Sequence, residues 1–131
     1  MLQKSYSTAP GVTMTVLNSD GATFPLDSLN IVWRNNTNSR VLFGEWFEIQ
    51  GKEHGQWKEL PIDEKYMDNG RCEIVFSMVA YILKAASSCN DIVKPWFYGK
   101  NLNRGVYRLV KTFNFDNSER QDTAYVEFEL K

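Results

Sequence analysis

The side chains able to carry acid–base, nucleophilic or metal chemistry are few in this sequence and stand far apart. Its single histidine, His54, lies in Gly51-Lys52-Glu53-His54-Gly55, which reads as a hairpin turn. An imidazole there is solvated and has no evident carboxylate to orient it. A Ser-His-Asp arrangement therefore lacks its base, and a multi-histidine metal site lacks its ligands. Glu45 shares strand parity with Phe43, Phe47 and Ile49, and a carboxylate facing a core needs a partner such as Arg34, Arg40 or Arg108. A bulge at Gly44 would instead turn Glu45 outward, which is the expectation. Asp63-Glu64-Lys65 and the stretch from Asp116 to Asp122 read as solvated loop charges. Asp116-Asn117-Ser118-Glu119 lacks the regular spacing of a calcium loop, and no glycine motif for cradling phosphate is present. No catalytic residue, cofactor or metal is expected.

Two cysteines, Cys72 and Cys89, are too few for a disulfide framework. If the segments around them form one hairpin turning near Ala86, Cys72 lies roughly 30 Å from the position opposite Cys89, beyond disulfide reach. Free, partly buried thiols are expected, although a break in the first strand would permit a bridge. The aromatic residues are the better lead to a surface. Trp33 fits the buried tryptophan of a sandwich core. Trp46 lies on the parity opposite Phe43 and Phe47, while Trp57, Trp96 and Tyr98 flank turns or an edge strand. Exposed, these four could stack on a sugar or anchor a protein partner, and they are the candidate ligand-binding residues. Covering the ends of the core is the simpler role for each alone; a contiguous patch would favour binding.

The elements that must position these residues read as strands. Ala124, Val126, Phe128 and Leu130 alternate with Thr123, Tyr125, Glu127 and Glu129, a half-buried strand. Leu29, Ile31 and Trp33 share a face before the turn-forming Asn35-Asn36-Thr37-Asn38-Ser39. Val41 to Ile49 and Gln56 to Leu60 read as a hairpin about the His54 turn. Strands are also expected at Val12–Val16, from Cys72 to Leu83, from Ile92 to Phe97 with Pro95 at an edge or bulge, and from Val106 to Phe115. Seven or eight mainly antiparallel strands with no convincing helix describe an all-β, immunoglobulin-like β-sandwich. Leu102-Asn103-Arg104-Gly105-Val106-Tyr107 has the form of a tyrosine corner, in which Tyr107 returns its hydroxyl to upstream backbone, Gly105 relieves the tight turn and Leu102 plugs the core end.

A length of 131 residues suits one domain over 1–131, with 1–10 expected as a flexible N-terminal segment. Fifteen basic and sixteen acidic residues give a net charge of -1, so no nucleic-acid footprint is present. No apolar run is long enough to span a bilayer, and Met1 to Ser7 has no apolar leader region. Either the chain is cytosolic or a leader was removed before this numbering begins.

A resemblance narrows these alternatives. Gly11-Val12-Thr13-Met14-Thr15, Asn35-Asn36-Thr37, Phe43-Gly44-Glu45-Trp46-Phe47-Glu48-Ile49 and Gly55-Gln56-Trp57, followed by Ala80-Tyr81-Ile82-Leu83, Tyr98-Gly99 and Leu102 through Lys111, resemble a family of bacterial immunoglobulin-like domains over nearly the whole chain. Lys84-Ala85-Ala86-Ser87-Ser88 departs from the family's Pro-Gly type turn. The resemblance implies an exported protein, often lipid-anchored or the outer part of a membrane protein, with no catalytic motif to carry over. A non-catalytic extracytoplasmic module for protein binding or scaffolding at the bacterial cell envelope is therefore expected. Membrane attachment would come only through a lipid anchor absent from this chain. The alternatives are a carbohydrate-binding accessory domain using Trp46, Trp57 or Trp96, and a sensor ectodomain of a membrane-bound peptidase system; a catalyst is the least expected. Asp27-Ser28-Leu29 and Asp122-Thr123-Ala124 resemble acceptors for O-glycosylation of exported proteins in some bacteria.

Overall fold

The computed structural model describes residues 4–17, 24–68, 71–72, 74–76 and 78–131. Its strands are β1 (Ser5–Ser7), β2 (Val12–Val16), β3 (Leu29–Asn35), β4 (Val41–Phe43), β5 (Glu48–Glu53), β6 (Gln56–Glu59), β7 (Met67–Asp68), β8 (Arg71–Cys72), β9 (Tyr81–Leu83), β10 (Ser87–Val93), β11 (Gly105–Phe115) and β12 (Asp122–Leu130). The alternation legible at the C-terminus becomes β12, where Ala124, Val126, Phe128 and Leu130 are all buried. It pairs antiparallel along β11, so the inward side chains Tyr107, Leu109 and Phe113 meet the same core. The large sheet runs β1-β12-β11-β4-β9, with β5 also on β11 and β6 on β5; the small sheet runs β2-β3-β10. The two antiparallel sheets face each other across Met14, Ile31, Trp33, Ile49, Leu109 and Val126, all fully buried, as an immunoglobulin-like sandwich.

Two local devices follow the sequence closely. The β5–β6 hairpin turns on His54 and Gly55, both at positive φ (51 and 78), as a two-residue turn needs to match the twist of its strands. The Tyr107 hydroxyl donates to the Asn103 carbonyl at 2.7 Å and accepts from the Asn103 N–H at 3.1 Å, with Leu102 buried beside it. This is the tyrosine corner.

Other expectations are corrected. Residues 1–10 are not wholly a flexible lead-in, because Ser5–Ser7 pairs with Val126 to Ala124 on β12. The span from Val41 to Ile49 is two strands, broken where the chain leaves β4 at Gly44, and Glu45 consequently faces solvent. The span from Cys72 to Leu83 is not one strand. Only β8 and β9 are extended strands; the described residues between them belong to no strand, with Val75 and Met78 almost fully exposed. Apolar residues on both parities gave no face to bury, and the chain uses them as a surface cover. Nor do β9 and β10 form a hairpin: β9 joins β4 in one sheet and β10 joins β3 in the other, the crossing made at Ala86 (φ 53), whose N–H donates to the Thr37 carbonyl. Pro95 ends the strand early, and Trp96–Asn101 is a short 3-10 turn, where Ile92 to Phe97 was expected to be extended.

Candidate functional site

The side of the sandwich between the edges of β9 and β10 is open. A cleft of about 540 Å³ runs there, with Phe43, Phe47, Phe76, Tyr81, Trp96 and Phe97 among its walls and Glu45, Asn90, Asp91 and Lys94 as its polar groups. That volume lies in the range of small-ligand and side-chain pockets. The apolar walls are tied together by ring contacts: Phe76 stands edge-on to Phe47 and Phe97 at 5.5 and 6.0 Å, and Trp96 stands edge-on to Phe97 and Tyr66.

At the base lies a polar cluster that parity reasoning missed. Lys111, on β11, is at inward parity and only 1% exposed; its ammonium meets the Asp91 carboxylate of β10 at 2.7 Å and lies 5.6 Å from the Phe43 ring centroid. The same Asp91 oxygen accepts from the Trp33 indole N–H at 3.2 Å. The pair bridges the two sheets, and a charge buried this far is tolerated only with such a partner. The inward run Tyr107, Leu109, Lys111, Phe113 carried the signal: a charge at core parity, the same sign sought at Glu45. Glu45 itself stays outside, where it accepts from the Tyr81 hydroxyl at 2.9 Å, and that bond raises the phenol's pKa. Cys89, a free and half-buried thiol on the same strand, is pushed up by burial and by the nearby Asp91. The side chain of Cys72 lies outside the described residues.

The rim beyond Pro95 is held by Asp63, which is buried and not the solvated loop charge expected of it. Its carboxylate accepts from the Lys100 N–H at 3.0 Å and the Lys65 N–H at 3.2 Å, bonds that hold it below the usual carboxylate range. Gly99 makes this possible: at φ 50, a Cβ there would stand 2.3 Å from the Asp63 Oδ2.

The four candidate aromatics do not gather into one site. Tyr98 is buried, its hydroxyl accepting from the Ile49 N–H at 2.9 Å, so it is a core residue and not a surface ligand contact. Trp57 is half-buried on the outer face of the large sheet, with the Arg108 guanidinium 5.0 Å and the Lys52 ammonium 5.5 Å from its ring. Arg108 also lies over Tyr125, which stacks on Tyr6, so the rings are engaged with their own neighbours in a row across the sheet. Trp46 is 38% exposed and stands outside the cleft lining. Trp96, 54% exposed, lines the 540 Å³ cleft and a second of about 310 Å³ on its other side. Trp33, expected as core, is fully buried. Of the two acceptor-like triplets, Asp122-Thr123-Ala124 lies in β12 with Asp122 buried and bonded by the Thr8 hydroxyl at 2.8 Å, a structural use of the carboxylate.

Among the described residues, no helix is long and apolar enough to cross a membrane. Comparison with protein families matches residues 8–129 to the bacterial Ig-like domain. No curated protein matches the chain.

Proposed function

The chain belongs to the bacterial Ig-like domain family, and from that premise we propose that it is an extracytoplasmic binding module that engages a protein of the cell envelope through the open side between β9 and β10. The family is one of non-catalytic modules, and its usual setting outside the cytoplasm supports the address. One observation carries the choice of face. Val75, Met78, Val79, Ile82, Ile92 and Trp96 are each more than half exposed, and they all belong to β9, β10 or the segments that border them. Val75, Ile92 and Trp96 line the cleft itself, and Met78, Val79 and Ile82 lie on the neighbouring segment and strand; large apolar side chains grouped on one side mark an interaction surface far better than the same residues scattered singly. A rigid base, made by the Lys111–Asp91–Trp33 cluster, holds that surface in place.

The test is capture of envelope proteins by the folded chain, compared with Ile92→Lys and Met78→Glu. Both sites are exposed, so each change should leave the melting temperature within a degree or two. The expected outcome is a specific partner lost at least tenfold with either variant and kept with Lys52→Ser on the outer face. Retention by both variants, or glycan binding that Trp57→Ala abolishes, would move the site elsewhere.

A further inference from the structure

Among the described residues no strand pairs with the outer edge of β10, and that edge says how such a partner is held. In the small sheet, the Leu17 N–H donates to the Asn30 carbonyl and the Asn36 N–H to the Gly11 carbonyl, so the even residues of β3 direct their main-chain groups to β2 and the odd residues direct theirs to β10. Register then fixes β10. Ser87, Cys89, Asp91 and Val93, opposite Asn35, Trp33, Ile31 and Leu29, bond inward to β3, which leaves Ser88, Asn90 and Ile92 with main-chain groups pointing away from the sheet. All three residues are exposed. The Ile92 N–H is already taken by the Asp91 carboxylate at 2.9 Å, so the edge offers the N–H groups of Ser88 and Asn90 and the carbonyls of all three.

Natural sheets blunt such an edge with lysine, proline or an unmatched inward charge. β10 carries none of these: Ser87–Val93 has no lysine or proline, and the inward charge of Asp91 is neutralised by Lys111. The cleft lies directly beside this edge, with Asn90, Asp91 and Ile92 in its lining. Of its charged groups, Asp91 is paired with Lys111, and Glu45, on the opposite wall, is hydrogen-bonded by the Tyr81 hydroxyl. Lys94, one residue past the strand and lining the same cleft, has no ion-pair partner among the described residues.

Resting on the reading of the open side as a binding face, we propose that β10 takes up an extended segment of the partner protein as a fourth strand of the small sheet. The occupant is uncharged along the strand, places apolar side chains at alternate positions in the cleft, and carries an acidic residue at the end that meets Lys94. Main-chain hydrogen bonds supply the affinity and the aromatic walls the side-chain selectivity, as in other cases of strand addition.

The probes are ten-residue peptides alternating Val or Ile with Thr and carrying Glu at one end, titrated into the nitrogen-15-labelled chain. The expected result is a shift of the Ser88 and Asn90 amides with at least tenfold slower hydrogen exchange, and at least tenfold weaker binding to Asn90→Pro and to Ser88→Pro. Methylating alternate peptide nitrogens should weaken binding as much, without altering the protein at all. Lys94→Glu should reverse the preference for an acidic over a basic end. Strand addition is overturned if no probe binds, if binding leaves the Ser88 and Asn90 amides unprotected, if methylated probes bind equally well, or if the edge is filled by a second copy of this chain in a concentration-dependent dimer. Binding that survives both prolines yet falls with Ile92→Lys would reject the strand while keeping the face; binding indifferent to Ile92→Lys would reject the face itself.

Discussion

The two long sides of the sandwich exclude water from the same core by different means. On the N-terminal side the chain passes from the large sheet to the small one within a few residues, from β1 on β12 to β2 on β3. The gap is closed by main chain and hydroxyls: the Thr8 N–H donates to the Thr123 carbonyl, the Thr8 hydroxyl to Asp122, and the Ser5 hydroxyl to the Met14 carbonyl. On the other side β9 and β10 diverge into different sheets, and the space between them is closed by an ion pair and a set of aromatic rings. Backbone pairing cannot be exchanged for a ligand without dismantling a sheet. An edge covered by side chains can, because its main-chain groups are not yet spent. The open side is thus where a sandwich can keep its stability and still bind.

The sharpest way to break this comparison is to remove half of the ion pair. Asp91→Ala leaves the Lys111 ammonium buried without its carboxylate and the Trp33 N–H without its acceptor. Loss of about 3–5 kcal/mol is expected by urea denaturation. Lys111→Met, which removes the charge and keeps the volume, should cost far less, because the Asp91 carboxylate is 14% exposed and retains the Trp33 and Ile92 N–H groups. Equal losses from the two substitutions would mean that the open side is not held by a desolvated charge.

On the closed side the corresponding lesion is Gly11→Ala. Gly11 lies just before β2 with φ +94, and a Cβ there would stand 2.8 Å from the Thr37 methyl, while its carbonyl accepts the Asn36 N–H. A loss of about 1–3 kcal/mol is expected. Binding of the strand peptides at a temperature where the variant stays folded should be unchanged. Weakened binding would show that the two sides are coupled through the small sheet.

The contrast also explains what could be read in advance. The closed side and the long strands were legible because one residue in two is buried, so period-2 alternation marks β2, β3, β11 and β12 directly. The tyrosine corner was legible because Leu102, Gly105 and Tyr107 have the spacing of that motif at the start of a strand, and the Tyr107 hydroxyl does return to Asn103. The open side was not. Between β8 and β9 apolar residues occur on both parities, and periodicity cannot separate a doubly buried strand from a cover lying over an edge. At Gly44 a bulge was expected and the strand breaks instead, but the outward turn of Glu45 was expected and is found. Lys111 stands at inward parity yet was not singled out, because a lysine there acquires meaning only when β10 brings Asp91 against it from the other sheet. Tyr98 was misplaced because Pro95 converts the expected strand into a turn that points its ring inward, and Asp63 because one of its partners, the Lys100 N–H, lies 37 residues away in that same turn.

That turn gives the mildest test of the comparison. Asp63 ties the rim carrying Trp96 and Phe97 through bonds from the Lys100 and Lys65 N–H groups, and these depress its pKa in the folded state. A group whose folded pKa lies below its unfolded value contributes fully above the ordinary aspartate range, near ~4, and loses that contribution as pH falls toward the folded pKa. Acid should therefore loosen the open rim before the closed side, where the main-chain pairing of β1 with β12, which does not titrate, holds the strands alongside the bond from the Thr8 hydroxyl to the Asp122 carboxylate. Hydrogen exchange at pH 6 and at pH 3, corrected for the intrinsic rate, should show protection falling in peptides covering 96–102 while those covering 122–130 keep theirs. Glu64 pairs with Lys100 at 3.2 Å on the surface beside the same turn, so Glu64→Gln serves as the control and should leave the acid response in place. Asp63→Asn should remove it, because an amide has no proton to take up in this range. A response surviving in Asp63→Asn, or one equal on both sides, would mean that the rim is secured by its aromatic contacts and not by the carboxylate.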